Sequence, residues 1–484
     1  MQYLEENKKR IIFSFIFSLA PLLLSFFIFS FYFDPSYFQP YYSDEVHYWN
    51  EIRNFYHAGF RSGYTVINEQ KSLVPFFTFG PHGPFFPMIG AFMMLLWGEH
   101  YTLPLFFNAL FSFLSLFTFN FIVLKNNFLK MFIFSFFLLS FWPFYNFMFS
   151  LMQESLNYSI SILISVAIFY LREKRKIPFW IFSFVSTMLR ASWGVICFAL
   201  LFLKDKKVIL IFLFSLLWMK FILPPYSRIT PFNKLIAFIL GPSFASWNDF
   251  FFIFLNNIKK YFFLYKGSEI IPFFFRIELL IVFFYALLFD KKNFFRRESL
   301  MILSLSLGML LFLYEVGGWR DLRFLAPSLV LSLALLIAGG KKNAFFLFIV
   351  AAQFLSAFYF LPFSHQIKKN NFLKESDHLL EIRKKIVFDP LKERWCNTLL
   401  INTPDEELMG EIMKNVPSGI GVSVLHLIDN VEVSLPFKSG YLFLNSWSIG
   451  ELHKRGYYPR LKKIESFASG VFYENRDSSC FRKK

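Results

Sequence analysis

Residues 11–33, 103–124 and 131–153 form three stretches without a single charged side chain. Each exceeds the roughly 20 residues that a helix needs to cross a bilayer. In hydrocarbon, backbone groups must be satisfied internally, so such runs are helices. The chain is therefore read as an α-helical polytopic membrane protein. With 56% hydrophobic residues and 75 phenylalanines, it cannot be an ordinary soluble enzyme. The net charge of +17 does not point to nucleic acid. Its lysines and arginines sit in short clusters between apolar runs, where they act as topology signals for cytoplasmic loops. Neither zinc-type cysteine spacing nor a Walker-type glycine loop is present.

Lys8, Lys9 and Arg10 before the first run predict an uncleaved anchor with a cytoplasmic N-terminus. A large outer loop then spans 34–102. It holds YYSDEVHYWNEIRNFY at 41–56, which predicts a short amphipathic helix along the membrane. Ser43 would cap that helix, and Asp44 and Glu45 would occupy its first turn, where the dipole favours anions. Read alone, this is an ordinary capped helix. Residues 84–97 are apolar but too few for an upright span, so a re-entrant or interfacial helix is expected there. Residues 131–170 suffice for two antiparallel spans turning near Ser150, with Glu154 opening the second on the outer side.

Residues 177–203 carry basic clusters on both flanks, so parity demands an even number of crossings. About 27 residues at ~1.5 Å rise make only ~40 Å of helix. A compact hairpin of two short helices is expected, with Arg190 near its outward tip. Further spans are read at 208–223, 277–289, 299–314, 324–338 and 344–363, with a second outer segment from 224 to about 271. The total is about eleven crossings, which leaves every strong basic cluster between spans inside. Domains follow as a transmembrane part, 1–363, and a soluble extracytoplasmic part, 364–484. In the latter, strands at 398–402, 421–426, 441–445 and near 466–473 alternate with helices at 404–414 and 449–455, which predicts a small α/β domain. Cys396 and Cys480 bracket it, and in an oxidising compartment they are candidates for a bridge; two free thiols are the alternative.

Asp44, Glu45, Glu154, Arg190, Arg320 and Arg323 all fall on one side of the membrane in this topology, with His82 in its Gly-Pro loop as a further candidate. Acids and arginines at an apolar–aqueous boundary suit transfer of a group from a lipid phosphate to a hydroxyl. The hydroxyl needs a carboxylate base. The leaving phosphate needs cationic donors, and arginine offers a planar fork to its oxygens. The inner loops are only a few residues long and leave no room for a nucleotide-sugar site. A donor delivered through the lipid bilayer is the economical alternative.

These residues resemble the GT-C superfamily of membrane glycosyltransferases, in the branch of protein O-mannosyltransferases and lipid A aminoarabinose transferases. The matching segments are SDEVHYW at 43–49, GPHGPFFP at 80–87, MQESL at 152–156, LRASW at 189–193 and RFLAP at 323–327. The chain has Arg190-Ala191 where the family often has Arg-Pro. The resemblance covers about 1–363. It implies a polyprenyl-phosphate-linked sugar donor, a glycan, lipid or protein acceptor, and a bacterial inner-membrane enzyme working on the outer side. Catalytic roles would fall to Asp44, Glu45 and Glu154, and donor-phosphate binding to Arg190, Arg320, Arg323 and His82. No cofactor is certain; a divalent metal, if the chemistry uses one, would fall to Asp44 and Glu154. The same spans and charges also admit a lipid or glycan flippase or transporter. A membrane-anchored sensor or assembly protein is the third alternative.

Overall fold

In the computed structural model the described residues are 2–30, 43–59, 66–67, 84–99, 103–148, 152–174, 176–190, 193, 196, 254–261, 270–313, 319–340, 343–364, 385–386, 389, 394–402, 412, 416–417, 420–424, 437–454, 456–467 and 470–480. Expectations for His82, for 197–253 and for most of 365–393 and 403–419 lie outside them. The chain divides into two compact units. The first comprises 1–37, 104–220 and 227–366; the second comprises 38–103, 221–226 and 367–484.

The first unit is a helix bundle. Its described helices are α1 (Gln2–Ser30), α4 (Leu103–Phe119), α5 (Phe128–Ser140), α6 (Trp142–Met148), α7 (Gln153–Arg172) and α8 (Ile177–Leu189), followed by α9 (Ile270–Phe284), α10 (Arg296–Leu313), α11 (Trp319–Gly339) and α12 (Asn343–Ser364). The second unit contributes α2 (Ser43–Ala58), α3 (Phe85–Trp97) and α13 (Ser446–Lys454). Helices α4 and α9 end in π-helical turns, Asn120–Leu124 and Tyr285–Phe289. By length and composition, three described segments can each cross a membrane unaided: Glu5–Phe27, Phe106–Leu124 and Gln153–Leu171.

Two of these segments differ in surroundings, and their sequences explain why. α1 leaves Ile12, Phe15, Ile16, Leu23 and Phe27 exposed, an apolar face suited to lipid. α7 is buried nearly all round, packed against α8 and α11. It carries Ser155, Ser159, Ser161 and Ser165, small residues that let neighbouring backbones approach in a membrane. Hydroxyls and amides link helices across the bundle. Ser135 Oγ donates to Phe17 O at 2.6 Å, and Asn120 Nδ2 donates to Ser18 Oγ at 2.9 Å. The Ser306 and Ser328 hydroxyls meet at 2.8 Å.

At the end of the bundle that carries the basic loops, Asn293 ties the loop 290–295 to α11. Its Nδ2 donates to Asp290 Oδ2 at 2.6 Å and to Leu336 O at 2.8 Å. The chain crosses this knot at Gly339, where a Cβ would stand 2.4 Å from Asn293 Oδ1. A side chain there would push the knot apart.

The sheet of the second unit has six strands in the order β1-β3-β2-β4-β6-β5. They are β1 (Val66–Ile67), β2 (Thr398–Asn402), β3 (Gly421–Val424), β4 (Tyr441–Leu444), β5 (Leu461–Ser466) and β6 (Val471–Asn475). The first four run parallel, and β6 pairs antiparallel with both β4 and β5. Alternation places Leu399, Ile401, Val422 and Phe443 in one apolar layer and Leu400, Leu442 and Leu444 in the other. Both faces of the sheet are covered, as an α/β sandwich requires.

Two features correct the sequence reading. The single strand expected near 466–473 is a hairpin, closed by Phe467 N donating to Gly470 O at 2.8 Å. The outer loop also contributes an edge strand, with Val66 opposite Ser423 and Ile67 opposite Val424. Cys396 and Cys480 form a disulfide with 5.3 Å between their Cα atoms.

Candidate active site

In the bundle, Glu154 sits in the first turn of α7, where the helix dipole favours its charge. α8 ends at Leu189, so no unbroken helix runs through 177–203. Arg190 is its extended C-cap (φ −156°, ψ 122°), and its N–H donates to Ser186 O. That extended residue turns the guanidinium back onto α7, where Nη2 donates to Glu154 Oε1 at 2.9 Å. One turn on, Trp193 Nε1 donates to Asn157 Oδ1 at 3.0 Å. Glu154 and Asn157 share a face of α7 because they are three residues apart.

Exposure within this constellation is uneven. Glu154 and Asn157 are fully buried and Trp193 nearly so. The Arg190 side chain retains 12% exposure. The acid is thus sealed, and the cation it holds has the open edge. The sequence set Glu154 and Arg190 apart as two site residues; the structure joins them as an ion pair.

In the second unit, Asp44 and Glu45 occupy the first turn of α2. The Asp44 side chain lies outside the described residues, and Glu45 is buried. α2 is not an amphipathic helix with a wetted polar face. Asn50, Glu51, Arg53 and Asn54 are all buried, as are Trp49 and Ile52 on the apolar side. Buried polar groups need partners. Arg53 finds them in the Glu99 carboxylate and in Val416 O, the latter at 2.9 Å. His57 Nε2 lies 3.6 Å from the other Glu99 oxygen. α2 packs along α3, whose Phe92, Leu95, Leu96 and Trp97 stand exposed as an interfacial helix would leave them.

Arg320 and Arg323 lie in the first two turns of α11, with side chains outside the described residues. Arg276 and Glu278 escaped the sequence reading, and Arg53 entered it only within the polar face of the helix at 41–56. Arg276 is buried and donates to Lys260 O and Tyr261 O at 3.3 Å. Glu278 is buried in α9 and accepts from Gln353 Nε2 of α12. A usable signal existed, since ionisable residues inside apolar spans are costly and selective. Among the described residues, no three His, Cys, Asp or Glu side chains gather as metal ligands.

No protein-family model matches the sequence, and no curated protein matches it. Solved structures do match in fold. The crystal structure of ArnT from Cupriavidus metallidurans bound to undecaprenyl phosphate aligns with TM-score 0.53 at 11% identity, covering 94% of this chain and 97% of that one. The apo state of the same ArnT gives TM-score 0.48 at 10% identity, with the same coverage. The chain therefore shares its overall fold with the ArnT structure bound to undecaprenyl phosphate. Residues 1–363 alone could not reach 94% coverage, so the alignment extends into the tail.

Proposed function

We propose that the chain is an integral membrane glycosyltransferase. It moves a sugar from a polyprenyl-phosphate carrier to an acceptor hydroxyl on the extracytoplasmic side of a bacterial inner membrane. The observation that carries this reading is the fold shared with ArnT bound to undecaprenyl phosphate over 94% of the chain. The Cys396–Cys480 bridge supports an outward tail, because such bonds persist in oxidising compartments.

In the proposed mechanism Asp44 is the general base. It takes the proton of the acceptor hydroxyl as that oxygen attacks the anomeric carbon. The bond from that carbon to the carrier phosphate breaks, and the phosphate leaves with the electron pair. Arg190 meets the developing charge, with Arg320, Arg323 and His82 as further donors. Glu154 does not reach the reacting atoms in this scheme. It holds the guanidinium in one orientation, and a fixed fork is what makes arginine effective on phosphate. Glu45 fixes the first turn of α2. No step is routed through a metal, and the acceptor is a glycan, lipid or protein.

The test is transfer by purified protein from a polyprenyl-phosphate sugar. Loss of a positioned base costs ~10²–10⁴ in rate. Asp44→Asn should therefore abolish turnover while the unfolding midpoint stays at the wild-type value. Near-normal turnover in the well-folded variant would overturn the mechanism.

A further inference from the structure

At the end of the bundle that carries the loop 290–295, α9 and α12 frame an open apolar groove. Its volume is about 560 Å³, and its walls include Ile277, Ile281, Phe284, Tyr285, Phe289 and Phe345. The Tyr285 and Phe345 rings stack at 3.4 Å and form the floor. Phe284 and Phe289 stand well exposed along the rim. The Tyr285 hydroxyl is buried and has no hydrogen-bond partner among the described residues. A buried hydroxyl without a partner is uncommon in a native structure and asks for one.

The inner mouth of the groove is cationic. The π-helical turn Tyr285–Phe289 breaks the regular hydrogen-bond ladder, and Arg296 takes up carbonyls there. Its Nε donates to Ala286 O and its Nη2 to Leu287 O, both at 2.7 Å. These bonds hold a permanently charged guanidinium against the two residues that follow Tyr285. Lys291 and Lys292 stand exposed just beyond Phe289. Asp290 and Glu298 of the same loop are buried, Asp290 accepting from Asn293 Nδ2 at 2.6 Å, so the exposed ionised side chains of 290–298 are Lys291, Lys292 and Arg297, all cationic.

An apolar slot that opens beside three cations matches an anionic amphiphile. We propose that this groove is a binding site for an anionic phospholipid. One acyl chain lies along Ile281 and Phe284, an ester carbonyl accepts from the Tyr285 hydroxyl, and the phosphate rests on Arg296 with Lys291 and Lys292. Basic pockets between membrane helices are known to hold such headgroups. The site is independent of the transfer reaction and lies in a part of the bundle that the mechanism does not use.

The experiment uses the full chain in neutral detergent, titrated with dioleoylphosphatidylglycerol or dioleoylphosphatidylcholine. Binding is read by native mass spectrometry and by the unfolding midpoint. The anionic lipid should bind and raise the midpoint, and the zwitterionic one should do neither. Each lysine near a headgroup contributes about fivefold in affinity, so Lys291→Gln with Lys292→Gln should weaken binding about 25-fold. Ile281→Trp, at a half-exposed position that tolerates a larger side chain, should block the slot and abolish the shift. Equal response to both lipids, or unchanged affinity in either variant, would overturn the proposal.

Discussion

Two arginine–glutamate pairs in this chain are built with opposite burial. In the bundle, Glu154 is fully buried and Arg190 keeps 12% exposure. In the second unit the Arg53 side chain is 2% exposed, while Glu99 keeps 25%. The Arg53 charge is spent inside the fold, on Glu99 and on Val416 O of the tail. The Arg190 charge is held from behind and presented outward. The same two residue types therefore sit differently: one fastens a helix to a sheet domain, and the other, in the proposed mechanism, readies a cation for the donor phosphate.

The comparison predicts an asymmetry in what each deletion leaves behind. Removing one partner of a buried pair costs ~3–5 kcal/mol, because the other charge stays buried and uncompensated. Glu99→Ala takes the ion-pair partner shown here from Arg53, and Arg190→Ala takes it from Glu154, so both should lose stability toward this scale in urea denaturation. Adding Glu154→Gln to Arg190→Ala should restore a large part of the loss, since a neutral amide tolerates that site. A cost below ~1 kcal/mol for Arg190→Ala would show that the Glu154 charge does not depend on it. In activity, Glu154→Gln alone should raise the KM for the lipid-linked donor. A merely structural glutamate would leave KM unchanged in the folded variant.

The disulfide sharpens the contrast between the units. Cys396 and Cys480 are 84 residues apart in sequence, and a bridge over such a loop contributes about 2–4 kcal/mol. Cys396→Ser with Cys480→Ser should loosen the sheet that holds Val416, and with it the anchor of Arg53. Limited proteolysis should then release fragments from 394–480 at lower temperature, while the bundle helices stay protected. Equal loss of protection in both units would show that they unfold together.

Much of this arrangement was legible because it rests on local pattern. The strand at 398–402 is a β-branched and leucine-rich run buried throughout, and the structure places β2 on those five residues. Arg190 could be set at a turn by charge parity alone. The edge strand at Val66–Ile67 could not be read, since two residues carry no period and its partner β3 lies more than 350 positions away. The hairpin at 461–475 was obscured by Lys462 and Lys463, which interrupt the apolar alternation of β5. Arg53 looked like the wetted face of an amphipathic helix. Only its distant partners, Glu99 and Val416, show that this face is inside.

A third ion pair closes the scale at its weak end. Lys462 Nζ lies 3.2 Å from Glu474 Oε2 across the β5–β6 hairpin, as close as many buried pairs. Yet its side chain is 60% exposed, against 14% for Glu474. Glu474 is also shared, with Arg476 at 3.5 Å. Water screens an exposed pair, and ordering a long lysine costs entropy, so such contacts typically contribute ~0.2–1 kcal/mol or nothing measurable. With Arg476 still in place, Lys462→Ala should fall in the lower half of that range, within ~0.5 kcal/mol of wild type. Thermal unfolding of the tail at low and at high salt checks this, and the small difference should shrink at high salt. If Lys462→Ala instead costs as much as Glu99→Ala, distance and not burial sets the worth of these pairs, and the contrast drawn between Arg53 and Arg190 fails.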